Sequence, residues 1–486
     1  MKKFLRCTVV AVVLAVLLVS QASAFNYWDN GYILAPDKEQ MAMPKPYTCE
    51  KVIDSIPGST GSTTFTNPDD IFLAPSGDYY VADTGNSRIV RLNSKFEYVA
   101  EYNGLANGDE DGSHKLSGPS GIFVTDEGDM YVADTTNQRI VHLDPNGEYV
   151  EQFIMPESDL LYNVLYFAPT KLAINPVNNY IYVIQDKQFM TIDAANNFKG
   201  YIGANKVGFN LLNYIVMTFA TDEMKDQMDK IEPEPFLNFC VANGGKIYAT
   251  GATKSRRISV INTVGTNVYP SGEYGVSTYA DNGAETEPQF NDICVDENEI
   301  ISCIELNSGC IYQYDQNGNL LCIFGGKGTT AGYFGIPSAI VYAGSGKLVT
   351  LDKSLGRIQV FVPTDFINTV HKAVTLYEEG KYDESLVEWN TIKDNNASYS
   401  LAREFIGKIT MKKGDYAAVL DDFKQSEDKE NYGKAFEKLR YQFMQKYFYA
   451  VVAVLAVTFV LVVLGIKRLN KFVKKMKKEF WDKLEG

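Results

Sequence analysis

Residues 68–93 (PDDIFLAPSGDYYVADTGNSRIVRLN) and 119–144 (PSGIFVTDEGDMYVADTTNQRIVHLD) are two copies of one unit, offset by 51 residues. Each copy reads as a strand, a turn (Ser76-Gly77-Asp78; Glu127-Gly128-Asp129), a second strand and a turn ending in Arg. Two more strands follow, the outer ones at Tyr98–Tyr102 and Tyr149–Phe153. Aromatic and β-branched residues fill these strands, as a pleated buried surface requires. Four antiparallel strands at this period are the pattern of a propeller blade. Weaker copies occupy 169–202, 235–275, 289–325 and 337–362, and the last lacks an outer strand. The fold class expected is mainly β, a six-bladed β-propeller. Because a ring must close or expose its edges, Tyr47–Ile56 is expected to supply the missing strand.

Two apolar segments of different kinds bracket the repeat. Residues 7–19 follow Lys2, Lys3 and Arg6 and precede Ala22-Ser23-Ala24. That is a secretory-signal pattern, with cleavage expected after Ala24. Residues 448–466 contain no charge, and their 13 Leu, Ile, Val and Phe residues favour insertion by about −4 to −8 kcal/mol. Tyr447, Phe448 and Tyr449 sit at the start, and Lys467 and Arg468 follow at once. The positive-inside rule puts the tail in the cytoplasm. The expected division is a signal peptide at 1–24, a propeller at 25–363 and helices at 364–446. A transmembrane helix at 447–466 and a basic cytoplasmic tail at 467–486 complete it.

The chain carries −14 in all, but the signal and the tail are basic, so residues 25–446 carry −22. So acidic a region does not bind nucleic acid. After removal of Cys7, Cys49, Cys240, Cys294, Cys303, Cys310 and Cys322 remain. An even number in an exported chain permits disulfides, and small buried thiols would suit the same strand positions equally.

An Asp-x4-Arg spacing recurs as Asp83/Arg88, Asp134/Arg139 and Asp352/Arg357. The two ends of such a turn can pair and lock it, with Asn86 or Asn137 taking a positive φ between them. In the fifth copy Glu305 and Cys310 stand at these places. The run Tyr80-Val81-Ala82-Asp83-Thr84-Gly85-Asn86-Ser87-Arg88-Ile89, repeated at Tyr131–Ile140, resembles the NHL-repeat family over about residues 45–365.

Two insertions interrupt the period. The first, 103–118, is a polar loop carrying Asp109, Glu110 and Asp111 without EF-hand spacing. The second, 204–233, places Leu211, Leu212, Ile215, Phe219, Met224 and Met228 at helical spacing. It is expected to pack on the propeller or to serve as a lid or docking element. Beyond Pro363 the pattern turns helical. Gly380 and Gly414, Tyr382 and Tyr416, and Trp389 and Phe423 each lie 34 residues apart, the tetratricopeptide period. A last helix is expected over about 428–446.

Propellers similar to the NHL type include calcium-dependent lactonases and a zinc-dependent lyase. The only histidines are His114, in the expected surface loop, His142, and His371, in the expected helical segment, so a three-histidine metal site is excluded here. A calcium site would draw on Asp69, Asp70 and Asp292, at the starts of innermost strands, and would make the chain a lactonase-like hydrolase. The sequence offers no G-x-S-x-G, phosphate loop or H-E-x-x-H. The other class is recognition. The whole arrangement resembles bacterial cell-envelope proteins found beside carbohydrate ABC transporters. That resemblance implies a membrane-tethered binding or scaffold protein, with a protein partner such as a transporter, or a carbohydrate ligand, and no cofactor.

Overall fold

A computed structural model describes residues 31–34, 39–104, 115–158, 161, 166–175, 178–203, 234–242, 244–279 and 285–482. The expected signal peptide, the acidic Asp109–Asp111 loop and the 204–233 insertion therefore lie outside the described residues. The rest divides into two compact units, one ending at Glu388 and the other starting at Trp389.

Among the described residues the first unit holds six antiparallel blades and a separate two-stranded ribbon, Thr278–Tyr279 with Glu285–Thr286. The innermost strands of the blades are Asp70–Leu73, Pro119–Val124, Pro169–Ile174, Phe236–Val241, Phe290–Val295 and Pro337–Tyr342. Each packs against the innermost strand of the next blade, and the sixth returns to the first. The second strands are buried on both faces because each stands between two blades. In Tyr79–Asp83, Tyr79 and Val81 join a core shared with the sixth blade, whereas Tyr80 and Ala82 join one shared with the second. Three further side-chain layers repeat this sharing around the ring, down to the fourth and fifth blades.

Closure occurs where the sequence places it. Tyr47–Ile53 pairs antiparallel with Arg357–Pro363 as the outer strand of the sixth blade. Tyr47 also stacks on Phe324 of the fifth blade, with ring centroids 4.6 Å apart. Two strands went unforeseen: Tyr32–Leu34 and Gln40–Ala42 extend the fifth blade to six. The fourth blade is shorter than its repeat suggested. Its described residues form three strands, and beyond them Ile261 makes a single bridge to Asn267.

The residue ending the second strand works as a clasp in five of the six blades, an acid in four of them. Asp83 accepts the Thr66 N–H at 2.7 Å, and Asp134 accepts that of Ser117 at 2.7 Å. Gln185 accepts Ala168 N–H at 2.8 Å, Glu305 accepts Gln289 at 2.9 Å, and Asp352 accepts Gly335 at 2.7 Å. In every case the last residue of the second strand holds the chain entering the first. Glu305 thus performs the task of the aspartates despite its different length. The fourth blade has Gly251 at this place. A Cβ there would come within 2.3 Å of the Arg256 carbonyl, so no side chain can serve.

The arginines divide. Arg88 Nε donates to Asp83 at 2.8 Å, and Arg139 Nε to Asp134 at 2.9 Å. Arg357 departs from the expected pairing with Asp352: its guanidinium donates to the carbonyls of Thr329, Thr330 and Tyr333, and its Nε finds no partner among the described residues. The positive φ expected at Asn86 and Asn137 belongs instead to Ser87 (51°) and Gln138 (58°). Asn86 and Asn137 use Nδ2 to bond the clasp carboxylates, each at 2.8 Å.

Helix α1 (Asp365–Glu378) buries Ile367, Val370, His371 and Val374, and α2 (Tyr382–Asn395) follows it. In the second unit come α3 (Ser400–Lys412), α4 (Leu420–Gln425) and α5 (Lys429–Asp482). Trp389 stacks on Phe405 at 4.6 Å, and Phe423 fills the space over Gly407, where a Cβ would come within 2.6 Å of its ring. Gly380 and Gly414 end α1 and α3 with φ of 78° and 88°, where glycine is favoured. Tyr416 does not open a helix as the 34-residue repeat suggested; α4 begins only at Leu420. Helix α5 runs on through the apolar stretch, broken in dihedral angle at Tyr447 alone (φ −111°, ψ 15°). It is long and apolar enough to cross a membrane, and its apolar window is unburied.

The clasps differ in what their loss would expose. Asp83→Ala leaves the guanidinium of Arg88, which is 3% exposed, with Glu101 as its remaining carboxylate, and also frees the Thr66 amide and Asn86; it is expected to cost about 3–5 kcal/mol. Gln185→Ala removes a neutral acceptor and is expected to cost about 1–3 kcal/mol. Denaturant unfolding of the two variants measures both; equal costs would contradict the charged clasp.

Candidate functional site

The six innermost strands enclose a central cavity of about 570 Å³. One position recurs around it. Asp70, Gly121, Lys171, Asn238, Asp292 and Ala339 each pair with the residue just before the clasp position. Three of these six carry charge. Lys171 Nζ donates to Asp70 Oδ1 at 2.6 Å, and both side chains are largely buried. Asp70 Oδ2 accepts the Ile122 N–H at 3.1 Å, and Asp292 Oδ2 accepts that of Ile340 at 2.8 Å. Each aspartate thereby staples its own blade to the inner strand of the next. Gly121 allows the second and third blades to approach: a Cβ there would lie 2.7 Å from the Thr170 carbonyl oxygen.

Burial works against the charge on Lys171, but Asp70 and then Asp292 outweigh it and hold its pKa above the usual lysine value. Burial pushes the Asp292 carboxyl up to about 7; Lys171 pulls the other way, and Asp70 adds to the rise. Above this charged floor the walls are largely apolar, with Phe72, Phe123 and Val341 among them. Asp296, Glu297, Glu299, Lys246, Tyr248 and Tyr342 lie on the same cavity lining.

The three aspartates proposed for calcium do not converge. Asp69 pairs with Lys353, Asp70 with Lys171, and Asp292 with a backbone amide. Among the described residues no group of three or more His, Cys, Asp or Glu side chains is arranged to hold a metal. The described residues therefore do not fit a calcium site.

The remaining candidates are structural. His142 stacks on Tyr131 at 4.2 Å and bonds Glu151 at 3.1 Å. His371, buried on α1, bonds Gln313 Oε1 at 3.0 Å, and burial lowers its pKa to about 4. Gln313 Nε2 in turn donates to Tyr47 and Ser302. This buried network ties α1 to the fifth blade and the closing strand. His114 lies outside the described residues. All six described cysteines are free thiols. Cys240 and Cys294 line the cavity, yet burial pushes Cys240 up to about 12 and raises Cys294 well above the usual thiol value, which leaves neither a nucleophile. Sequence reading missed Lys171, although its alignment with Asp70 and Gly121, behind Pro169, was there to mark it.

No family model matches the chain, and no curated protein sequence does. Among solved structures, a streptogramin B lyase is 14% identical with a TM-score of 0.39, over 68% of this chain and 85% of its own. The virginiamycin B lyase of Staphylococcus aureus is 13% identical with a TM-score of 0.39, over 68% and 86%. The WD40 repeats of RRP9 are 8% identical with a TM-score of 0.42, over 65% and 100%.

Asp292 makes the floor sensitive to pH. Its folded-state value lies above the ordinary aspartate range, near 4. The folded protein therefore keeps a proton that the unfolded chain releases between about pH 4 and 7. This contribution to stability is full below pH 4 and is lost as pH rises through 7. Relative to Asp292→Asn, wild type should lose on the order of 1.4 kcal/mol per pH unit over that window. Unfolding both proteins across pH 4–8 checks it; parallel curves would contradict it.

Proposed function

We propose that this chain is a membrane-tethered, extracytoplasmic recognition protein, a propeller of NHL type presented for binding or scaffolding. The single observation that supports the reading most is the apolar part of α5. Val454, Leu455, Phe459, Leu461 and Leu464 are each more than half exposed, a distribution that water penalises and lipid does not. The signal pattern before Ala24 and the basic residues from Lys467 support one orientation: propeller outside, tail inside. The break in α5 at Tyr447 falls at the expected entry to the bilayer, among interfacial aromatics. The helices between propeller and span carry a tetratricopeptide-like spacing, which suits a protein partner near the membrane, a permease included.

A binding role also agrees with the channel. Asp70, Lys171 and Asp292 at its floor are engaged in holding blades together, and its cysteines are held as thiols. The recognition surface would accept a small molecule, a carbohydrate among the candidates, or a protein.

Protease treatment of intact cells tests the topology. With a tag after Gly486, the expected result is loss of the propeller and survival of a protected, tagged fragment. Digestion of the tag with the propeller spared would overturn the reading.

A further inference from the structure

The charged end of α5, residues 467–482, continues from the apolar stretch as one helix. Its sequence sorts by face. Leu469, Val473, Met476 and Phe480 follow one another at intervals of four, three and four, which keeps them on one side of a helix. Lys467, Lys471, Lys474 and Lys478 repeat the same intervals, each two residues earlier. Two residues turn a helix by about 200°, so these lysines stand on the opposite side. Phe472 widens the apolar arc to about 100°, and Arg468 and Lys477 border it.

The described residues leave the apolar face uncovered. Leu469, Phe472, Val473, Met476 and Phe480 are each 41% exposed or more. Water penalises such a face, and its surroundings select what covers it. Residues 467–478 hold seven Lys and Arg and no acidic residue. The matching surface is therefore anionic outside and apolar just beneath. A leaflet containing anionic phospholipid has both layers: long basic side chains reach the headgroups while the apolar face enters the acyl boundary. Nucleic acid would satisfy the lysines and leave the apolar face in water. A second copy of the helix fits less well, because the arc is broader than a two-stranded seam and pairing would gather like charges. Continuity with the apolar stretch also places this helix beside a leaflet from the start, so tethering favours the contact. Gly465 lies where such a helix must turn. A Cβ there would meet no neighbouring atom, so no close packing requires glycine, and what it adds is backbone freedom.

We propose that residues 467–482 lie on the cytoplasmic leaflet as an amphipathic helix that recognises anionic phospholipid, bending away from the span at Gly465. This rests on the reading of α5 as a membrane span and adds a second, lipid-selective attachment. In this structure α5 passes Gly465 unbroken, so the bend is the response to the leaflet.

The full chain, reconstituted into vesicles whose acyl chains carry bromine near the glycerol end, tests this through the fluorescence of Trp481. Subtracting the emission of Trp481→Phe removes the signals of Trp28 and Trp389. A straight helix would hold Trp481 about 22 Å beyond Ile466, out of reach of the bromines. In phosphatidylcholine with about 30% phosphatidylglycerol, bromination should lower the Trp481 signal at least about twofold; in phosphatidylcholine alone it should lower it by less than about a fifth. Phe472→Gln/Met476→Gln should abolish the quenching in anionic vesicles. Lys434→Gln/Lys438→Gln, on the far side of the span, should leave it unchanged. Flotation of the vesicles after alkaline washing reads the span separately. A chain that washes off would overturn the span and this proposal with it. A chain that floats with Trp481 unquenched, or quenched equally in both lipids, would overturn the lipid recognition alone. Unquenched Trp481 with a disulfide between two copies of a Met476→Cys variant would overturn it in favour of a second copy.

Discussion

The pairing of Tyr47–Ile53 with Arg357–Pro363 is the constraint on which the rest of the propeller depends. Six blades laid side by side would end in two unpaired edges and two half-covered apolar faces. Strand exchange between the chain's beginning and the sixth blade removes both at once. Closure also gives the cavity its boundary, since the sixth inner strand must reach the first for the channel to be enclosed. Three further ties reinforce the seam: Tyr47 stacks on Phe324, its hydroxyl meets Gln313, and Gln313 meets His371.

Within this ring the same chain position is used for two purposes. The end of the second strand carries a clasp in every blade but the fourth, and the residue facing the position before it sits on the innermost strand. Chemistry at the first is nearly uniform because every blade must hold its entering strand. Chemistry at the second varies, from Asp70 through Gly121 and Lys171 to Asn238, Asp292 and Ala339, because the channel asks nothing of most blades. A buried Lys171 between two aspartates resists desolvation only through that company. The floor is therefore both an inter-blade tie and the place where the channel's charge is set.

Much of this was legible in the sequence. The 51-residue offset and its Asp-x4-Arg turns identify the blades, because uniform demands leave uniform residues. The closing strand was legible because an incomplete sixth copy requires one. The exceptions have physical causes. Glu305 looked like a departure because spacing shows residue identity, whereas its longer side chain reaches the same amides. Arg357 looked like a partner for Asp352, yet the carbonyls of 329–333 take its guanidinium. Positive φ was assigned to the asparagines by propensity, but their side chains are needed on the clasp, and the next residue turns instead. Lys171 escaped notice because its copy is weak, and a channel residue is defined by register across blades. Tyr32–Leu34 and Gln40–Ala42 are three residues each, too short for any period to register.

Native-state hydrogen exchange on the full chain tests closure most directly. If the ring is held shut by its outer seam, the amides of 47–53 and 358–363 exchange only through global unfolding, at the free energy found for the inner strand 290–295. Exchange of the seam by a cheaper local opening, with the inner strands still protected, would contradict the account.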